Sequence, residues 1–278
     1  MAASGEFWAR IWGVRGSVPV PGPTTLRYGG NTACLEVMCG TQRLIFDAGT
    51  GIRLLGERLC HVGMRRAHLF LTHTHHDHVN GFPFFKPAYR ADHEIIVWAG
   101  HLGARGLKLK DTLASIMASP FFPISLDILR AKMTYNDFAA GDDIEPCAGL
   151  KLRTAPLNHP GGATAYRVDF AGKSICYVTD TEHTPGELDD SIVGLIRGAD
   201  LVIYDSHFLE DEIDSFKGWG HSTWRQGVRL CEAADAGRLV TFHHEPNRTD
   251  AELDVIGEQL AKARPGSLVG REGLILRP

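Results

Sequence analysis

Between Thr72 and His78 the chain reads Thr-His-Thr-His-His-Asp-His, directly after the apolar run His68–Leu71 and just before Asn80-Gly81. Side chains alternate along an extended strand end, so His73 and His75 project to one side and can grip one metal ion together. The chain then turns into a helix start, from which Asp77 and His78 can point back toward a second metal beside the first. Imidazole and carboxylate donors suit zinc, with manganese or iron as the alternatives. Fourteen histidines are many for 278 residues, and they cluster beside Asp and Gly rather than spreading evenly. That clustering marks where function lies.

Ligands need a rigid frame, and the sequence supplies one. Five short apolar runs read as strands buried on both faces: Leu44–Phe46, Leu69–Leu71, Ile175–Val178, Leu201–Tyr204 and Leu239–Phe242. Each is followed by a candidate ligand or its support: Asp47, Thr72-His73, Thr179-Asp180, Asp205 and His243. Open α/β sheets place their sites at the carboxyl ends of strands. Apolar residues at three- and four-residue spacing predict helices over 51–60, 108–118, 189–197, 223–236 and 249–263. The first forty residues and 150–181 carry Gly-rich turns and read as antiparallel hairpins. Two mixed sheets packed face to face with helices outside follow from this pattern. Residues 82–146 hold no convincing ligand cluster and read as an insertion that walls the site.

Composition narrows the function classes. With 44% hydrophobic residues the chain can bury one large core, and residues 1–278 read as one domain. A net charge of −4 sets up no strong field, which argues against nonspecific nucleic-acid binding. The first twenty residues lack a basic start followed by an apolar stretch, and no segment approaches roughly eighteen uninterrupted apolar residues. A cytoplasmic protein with no membrane partner is expected. Six cysteines with no CxxC pair read as ordinary buried thiols.

The HxHxDH motif after a buried strand resembles the signature of metallo-β-lactamase-fold hydrolases, and four further motifs stand in that family's order. These are Phe46-Asp47-Ala48-Gly49-Thr50-Gly51, Leu157-Asn158-His159-Pro160-Gly161, Tyr177-Val178-Thr179-Asp180-Thr181 and Val240-Thr241-Phe242-His243-His244-Glu245-Pro246. The resemblance spans about residues 11–250. It implies a four-layer αβ/βα sandwich and two divalent metal ions, His73, His75 and His159 on one and Asp77, His78 and His243 on the other, with Asp180 bridging. His75 in place of a Glu implies zinc hydrolysis rather than oxygen reduction. Either His243 or His244 completes the second set, and the Pro246 register favours His243. Asp47 reads as a residue that holds a ligand histidine or a Gly-rich turn.

Two cations lower the pKa of a shared water, and a metal-bridged hydroxide needs no separate base. The leaving group still needs a proton. His221, in Gly218-Trp219-Gly220-His221-Ser222-Thr223, stands at a turn before a helix as a candidate general acid or phosphate contact, with Asp205 to orient it. The catalytic set is therefore Asp77, His221 and Asp205. Gly-His-Ser-Thr before a helix resembles tRNase Z and related phosphodiesterases. The start, Trp12 to Pro19 and Tyr28 to Thr32, resembles phosphoribosyl cyclic phosphodiesterases and some cyclic nucleotide phosphodiesterases. A small cyclic or nucleotide-like phosphodiester is the substrate this implies, and a homodimer fits the family. No Gly-Pro-rich arm for holding tRNA is recognisable. Two alternatives stand: acyl hydrolysis of a thioester or lactone at the same centre, and a noncatalytic metal-binding module. Arg15, Asn31 and Thr50 sit in turns that could approach a phosphate, and His183 and His207 lie where they could line the pocket. Phe84, Phe85, Phe121 and Phe122 read as core or an oligomer contact, while His61, His68, His93 and His101 lack companions and receive no role.

Overall fold

The computed structural model describes residues 5–184 and 186–278. Their strands form two seven-stranded sheets. The first contains β1 (Phe7–Gly13), β2 (Cys34–Cys39), β3 (Gln42–Phe46), β4 (Arg66–Leu71), β5 (Glu94–Ala99) and β6 (Lys132–Asp137). The second contains β7 (Ile144–Cys147), β8 (Leu150–Leu157), β9 (Ala163–Phe170), β10 (Lys173–Val178), β11 (Leu201–Asp205), β12 (Arg238–Phe242) and β13 (Leu268–Val269), and β14 (Ile275–Leu276) returns to the first sheet beside β1. Both sheets are mixed. Hairpins join β1 to β2 to β3 and β8 to β9 to β10 in antiparallel pairs, whereas β3–β4–β5–β6 and β10–β11–β12–β13 run parallel.

Three apolar layers hold the sheets and helices together, and strand periodicity assigns each side chain to one of them. In β11, Leu201 and Ile203 face the layer between the sheets, while Val202 and Tyr204 face the helices. In β4, Phe70 enters the same central layer and Leu69 and Leu71 pack outward. On the outside, α1 (Gly51–His61) covers the first sheet through Ile52, Leu55 and Leu59. The second is covered by α4 (Asp190–Ile196), α5 (Trp224–Ala233) and α6 (Asp250–Ala263). The short α2 (His76–Val79) and α3 (Leu109–Ile116) complete the set of α-helices. Thr223 caps α5 by accepting from Gln226 N–H, and Thr249 and Glu252 form a capping box on α6. The result is an αβ/βα sandwich of two mixed sheets, as expected.

Residues 82–146 differ from the expectation of an insertion. β5 pairs in parallel with β4 from Arg66↔Glu94 to Leu71↔Ala99, and β6 extends the sheet beyond it. The run Glu94–Ala99 is buried on both faces and reads as strand by the same rule as the other five runs. The segment is thus mostly sheet, and only its loops are free to border the site.

His68 lies inside this frame. Its ring packs beside both Phe70 and Trp98, with centroids 6.2 Å from each, and Trp98 Nε1–H donates to its Nδ1 at 3.2 Å. Burial holds its pKa down to about 4, below the usual 6.5. The folded chain therefore refuses a proton that the unfolded chain accepts, so His68 contributes stability above pH 6.5 that is lost as pH falls toward 4. The expected result is that the urea midpoint drops between pH 7 and pH 5 by less in His68→Phe than in the wild type.

Candidate metal centre

The carboxyl ends of the parallel strands from both sheets meet in one cleft. β4 delivers His73, β10 delivers Asp180, β12 delivers His243, and α2 turns Asp77 and His78 back toward them. The loop after β8 adds His159. Two contacts join the sheets beside this point: Tyr166 O–H donates to Leu71 C=O at 2.7 Å and Thr164 N–H donates to Thr72 C=O at 2.9 Å. Asp47, Asp180 and His243, each just past a strand end, adopt left-handed φ values of 62°, 61° and 59°. For residues other than glycine that conformation costs about 1 kcal/mol each. It turns the chain sharply, so that the side chain enters the cleft.

All seven residues expected as ligands come together, as two groups of three joined by Asp180. Donor atoms of His73, His75 and His159 lie within 4.8 Å of one another, as do those of Asp77, His78 and His243. Asp180 stands between: Oδ1 is 3.9 Å from His73 Nε2 and from His159 Nε2, and 3.5 Å from His243 Nε2, while Oδ2 is 3.2 Å from His78 Nε2. Of the two histidines left open in the sequence, His243 is the one whose Nε2 faces the cluster, 3.1 Å from Asp77 Oδ2. His244 turns away and pairs through Nε2 with Gly270 C=O at 3.0 Å. Only His75 of the histidines in these two groups is exposed.

The outer face of the cluster fixes what the inner face can bind. His78 Nδ1–H donates to Asp47 Oδ2 at 2.9 Å, and His159 Nδ1–H donates to Gly220 C=O at 2.8 Å. Each ring then presents Nε2 inward as a lone pair. His78 Nε2 meets His243 Nε2 at 3.1 Å, His159 Nε2 meets His75 Nδ1 at 3.0 Å, and His73 Nε2 is buried with no partner. Acceptor nitrogens facing one another beside two carboxylates fit divalent cations, since no hydrogen-bonding arrangement of the side chains satisfies them all. Without a cation, protons take that place. Burial opposes charge on His78, yet Asp180, Asp77 and Asp47 raise its pKa well above the usual value. Burial prevails at His73, whose pKa is held well below normal.

Positioning groups surround this core, some of them not foreseen. Asp47 accepts from His78 and also from Thr72 N–H at 2.8 Å and Tyr177 O–H at 2.9 Å, so its carboxylate aims His78 and anchors the start of the HxHxDH loop. Ser17 N–H donates to Asp77 Oδ2 at 2.7 Å. A side chain on Gly16 would lie 2.4 Å from His243, so only glycine lets this loop approach. Glu182 accepts from Gly218 N–H and Gly220 N–H, both at 2.9 Å, and thereby holds the loop that carries the carbonyl partner of His159. Nothing in the residue types marks Glu182. Asp47→Ala is expected to lower metal affinity by about 10- to 100-fold, read by competition with a chromogenic chelator, while Thr72→Ala has a smaller effect.

His221 and Asp205 meet as expected. His221 Nδ1 lies 3.2 Å from Asp205 Oδ2 and 3.7 Å from Asp180 Oδ1, which places the ring at the edge of the cluster. His207 stacks on His221 with centroids 4.2 Å apart and bonds His243 C=O through Nδ1 at 3.0 Å, so it lines the cleft. His183 does not. It bonds Tyr204 O–H at 2.5 Å behind the loop and borders a separate cavity of about 940 Å³.

Three turn residues considered for a phosphate are used elsewhere. Arg15 is buried and donates to the carbonyls of Gly29, Glu245 and Arg248, Asn31 bonds Glu272, and Thr50 exchanges hydrogen bonds with Thr32. His101, given no role, borders the site through Thr74 Oγ1 at 3.1 Å. Phe85 is core, whereas Phe84 and Phe121 are exposed.

Known proteins resemble this chain over most of its length. The family model described as beta-lactamase superfamily domain matches residues 42–244, most of the chain and every strand end that feeds the cleft. The chain belongs to the beta-lactamase superfamily. Among curated proteins, a ribonuclease Z of Bradyrhizobium sp. (strain ORS 278) is 27% identical over 272 residues, covering 83% of this chain and 87% of its own length. A ribonuclease Z of Haloarcula marismortui is 24% identical, covering 89% and 90%. Among solved structures, the metallo-beta-lactamase fold protein YhfI from Bacillus subtilis superposes with a TM-score of 0.70 at 16% identity, over 97% of this chain and 98% of that one. No described helix of this superfamily member is long and apolar enough to cross a membrane.

Proposed function

We propose that this chain is a metal-dependent phosphodiester hydrolase with two divalent ions, zinc by the chemistry of its donors. His73, His75 and His159 would hold one ion and Asp77, His78 and His243 the other, with Asp180 between them. One observation carries the reading: inward lone pairs from both sheets converge on Asp180 while Asp205 holds His221 beside it. Bound divalent ions supply a water of lowered pKa and polarise the attacked phosphoryl group. This chain's own residues do the rest. Asp47, Thr72, Gly220 and Ser17 fix the ligand side chains so that little reorganisation remains at the moment of reaction. Ser17 N–H holds Asp77 through Oδ2, beside His243 and His78. His221 donates a proton to the departing oxygen, and Asp205 fixes its tautomer and supports its charge.

Ribonuclease Z relatives spanning most of both chains support a phosphodiester rather than an acyl substrate. Within that class we favour a small cyclic or nucleotide-like diester, on the resemblance of the Trp12–Pro19 start and on a net charge of −4, which offers a long nucleic acid no general attraction. A homodimer and a cytoplasmic location belong to the same reading. Metal analysis of the purified chain tests its foundation: about two divalent ions per chain are expected, and a chain that retains none after exposure to zinc or manganese contradicts it.

A further inference from the structure

We infer that Arg105 contacts the anionic phosphodiester at the mouth of the cleft, beside His75. The inference rests on the hydrolase reading above and adds a substrate-binding residue to it. Arg105 ends a short 3-10 turn, Gly103–Arg105, and the left-handed Gly106 stops that turn. Its backbone belongs to the loop after β5, which Thr74 and His101 tie to the HxHxDH motif. The loop His159–Gly162 faces it. A methyl placed on Gly161 would lie 3.1 Å from Arg105 Nη1 and 3.9 Å from His75 Nε2. Gly161, at φ 87°, thus lets the guanidinium lie against the backbone next to the exposed ligand histidine. His75 Nδ1 faces His159 and the cluster interior, so its Nε2 side is the outer rim of the first ligand group.

Charge bookkeeping around the cleft leaves Arg105 without a structural task. Among the described residues its side chain makes no ion pair and no hydrogen bond, while its backbone N–H donates to Leu102 C=O at 3.0 Å. The other cations near the site are engaged: Arg15 with backbone carbonyls, Arg248 with Glu212 at 2.6 Å, Lys217 with Asp214 at 2.9 Å and Arg229 with Glu210 at 3.1 Å. An unpaired, exposed planar guanidinium matches the oxygens of a phosphodiester monoanion in charge and fork geometry. Because it stands on the rim rather than among the ligands, it assists binding of ground state and transition state alike, which is read in KM.

Arg105→Ala and Arg105→Lys, loaded with metal, are compared with the wild type on bis(p-nitrophenyl) phosphate and by calorimetric titration with inorganic phosphate. Arg105→Ala is expected to raise KM about tenfold with kcat within about twofold, and to weaken phosphate binding by a similar factor. Arg105→Lys keeps the charge and recovers part of both losses, with metal content unchanged in each variant. Unchanged KM and phosphate affinity in Arg105→Ala overturn the inference, as does a fall in kcat with phosphate affinity intact, or a wild type that binds no phosphate. If the wild type cleaves no diester, the hydrolase reading fails, and the phosphate titration still decides whether Arg105 holds an anion.

Discussion

Asp180→Asn is expected to cost about a thousandfold in diester hydrolysis, roughly 4 kcal/mol of barrier, and to lose bound metal while the fold stays in place. Asp180 is the carboxylate within reach of both histidine groups, through Oδ1 to His73, His159 and His243 and through Oδ2 to His78. Removing its charge would leave the two proposed cations with no carboxylate from Asp180 to hold them. Its pKa lies well below the usual carboxylate value even in the metal-free chain, because charged histidines outweigh the burial that opposes ionisation. Asn is the informative replacement, since it tolerates the left-handed φ of 61° at this position, whereas Ala adds a backbone cost of about 1 kcal/mol. A loss in Asp180→Asn with an unchanged melting temperature in chelator separates the role of charge from that of fold. Retention of metal and rate together would remove Asp180 from the centre.

His221→Ala is expected to cost between about a hundredfold and ten-thousandfold on a diester with an alkyl leaving group, and about tenfold or less when p-nitrophenolate departs. The difference follows from the role. p-Nitrophenolate leaves as a stable anion, so a group whose task is to protonate the leaving oxygen matters little to it. Burial opposes charge on His221, but Asp205, and behind it Asp180 and Asp77, push its pKa up to about 8. A histidine whose pKa is raised keeps its proton at neutral pH, and acid catalysis is lost as pH rises through that value. Cations bound at Asp180 and Asp77 would remove their support, leave Asp205 as the main one and move the loss to lower pH. Asp205→Asn should move this limb further down in pH. A variant that loses both substrates equally points to a structural role for His221.

The main features of the centre are legible in residue types because their physics is local. HxHxDH after a buried strand states both a period-two pair and a helix start, and the structure brings His73, His75, Asp77 and His78 together accordingly. The five strand ends are legible for the same reason: Asp47, Thr72-His73, Asp180, Asp205 and His243 each follow an apolar run that later proves to be a buried strand. Long-range relations are not legible. The reach of Glu182 to Gly218 and Gly220 depends on how two loops meet, and no residue type announces it. Arg15 looks like a loop cation, but a bridge that draws its strand against Thr32 and His244 buries it among carbonyls. β5 and β6 were obscured by the absence of ligands in 82–146, although Glu94–Ala99 obeys the same buried-strand rule as its neighbours. His101 reaches Thr74 only because that loop folds over the cleft.

Hydrolysis of bis(p-nitrophenyl) phosphate, measured beside a thioester and a lactone in the metal-loaded chain and after chelation, tests the central claim most directly. Diester cleavage is expected to vanish with chelator, return with zinc or manganese and fall about a thousandfold in Asp180→Asn, with acyl substrates turned over far more slowly. Metal-dependent cleavage of the thioester or lactone alone, with the diester untouched, contradicts it and assigns the same centre to acyl hydrolysis.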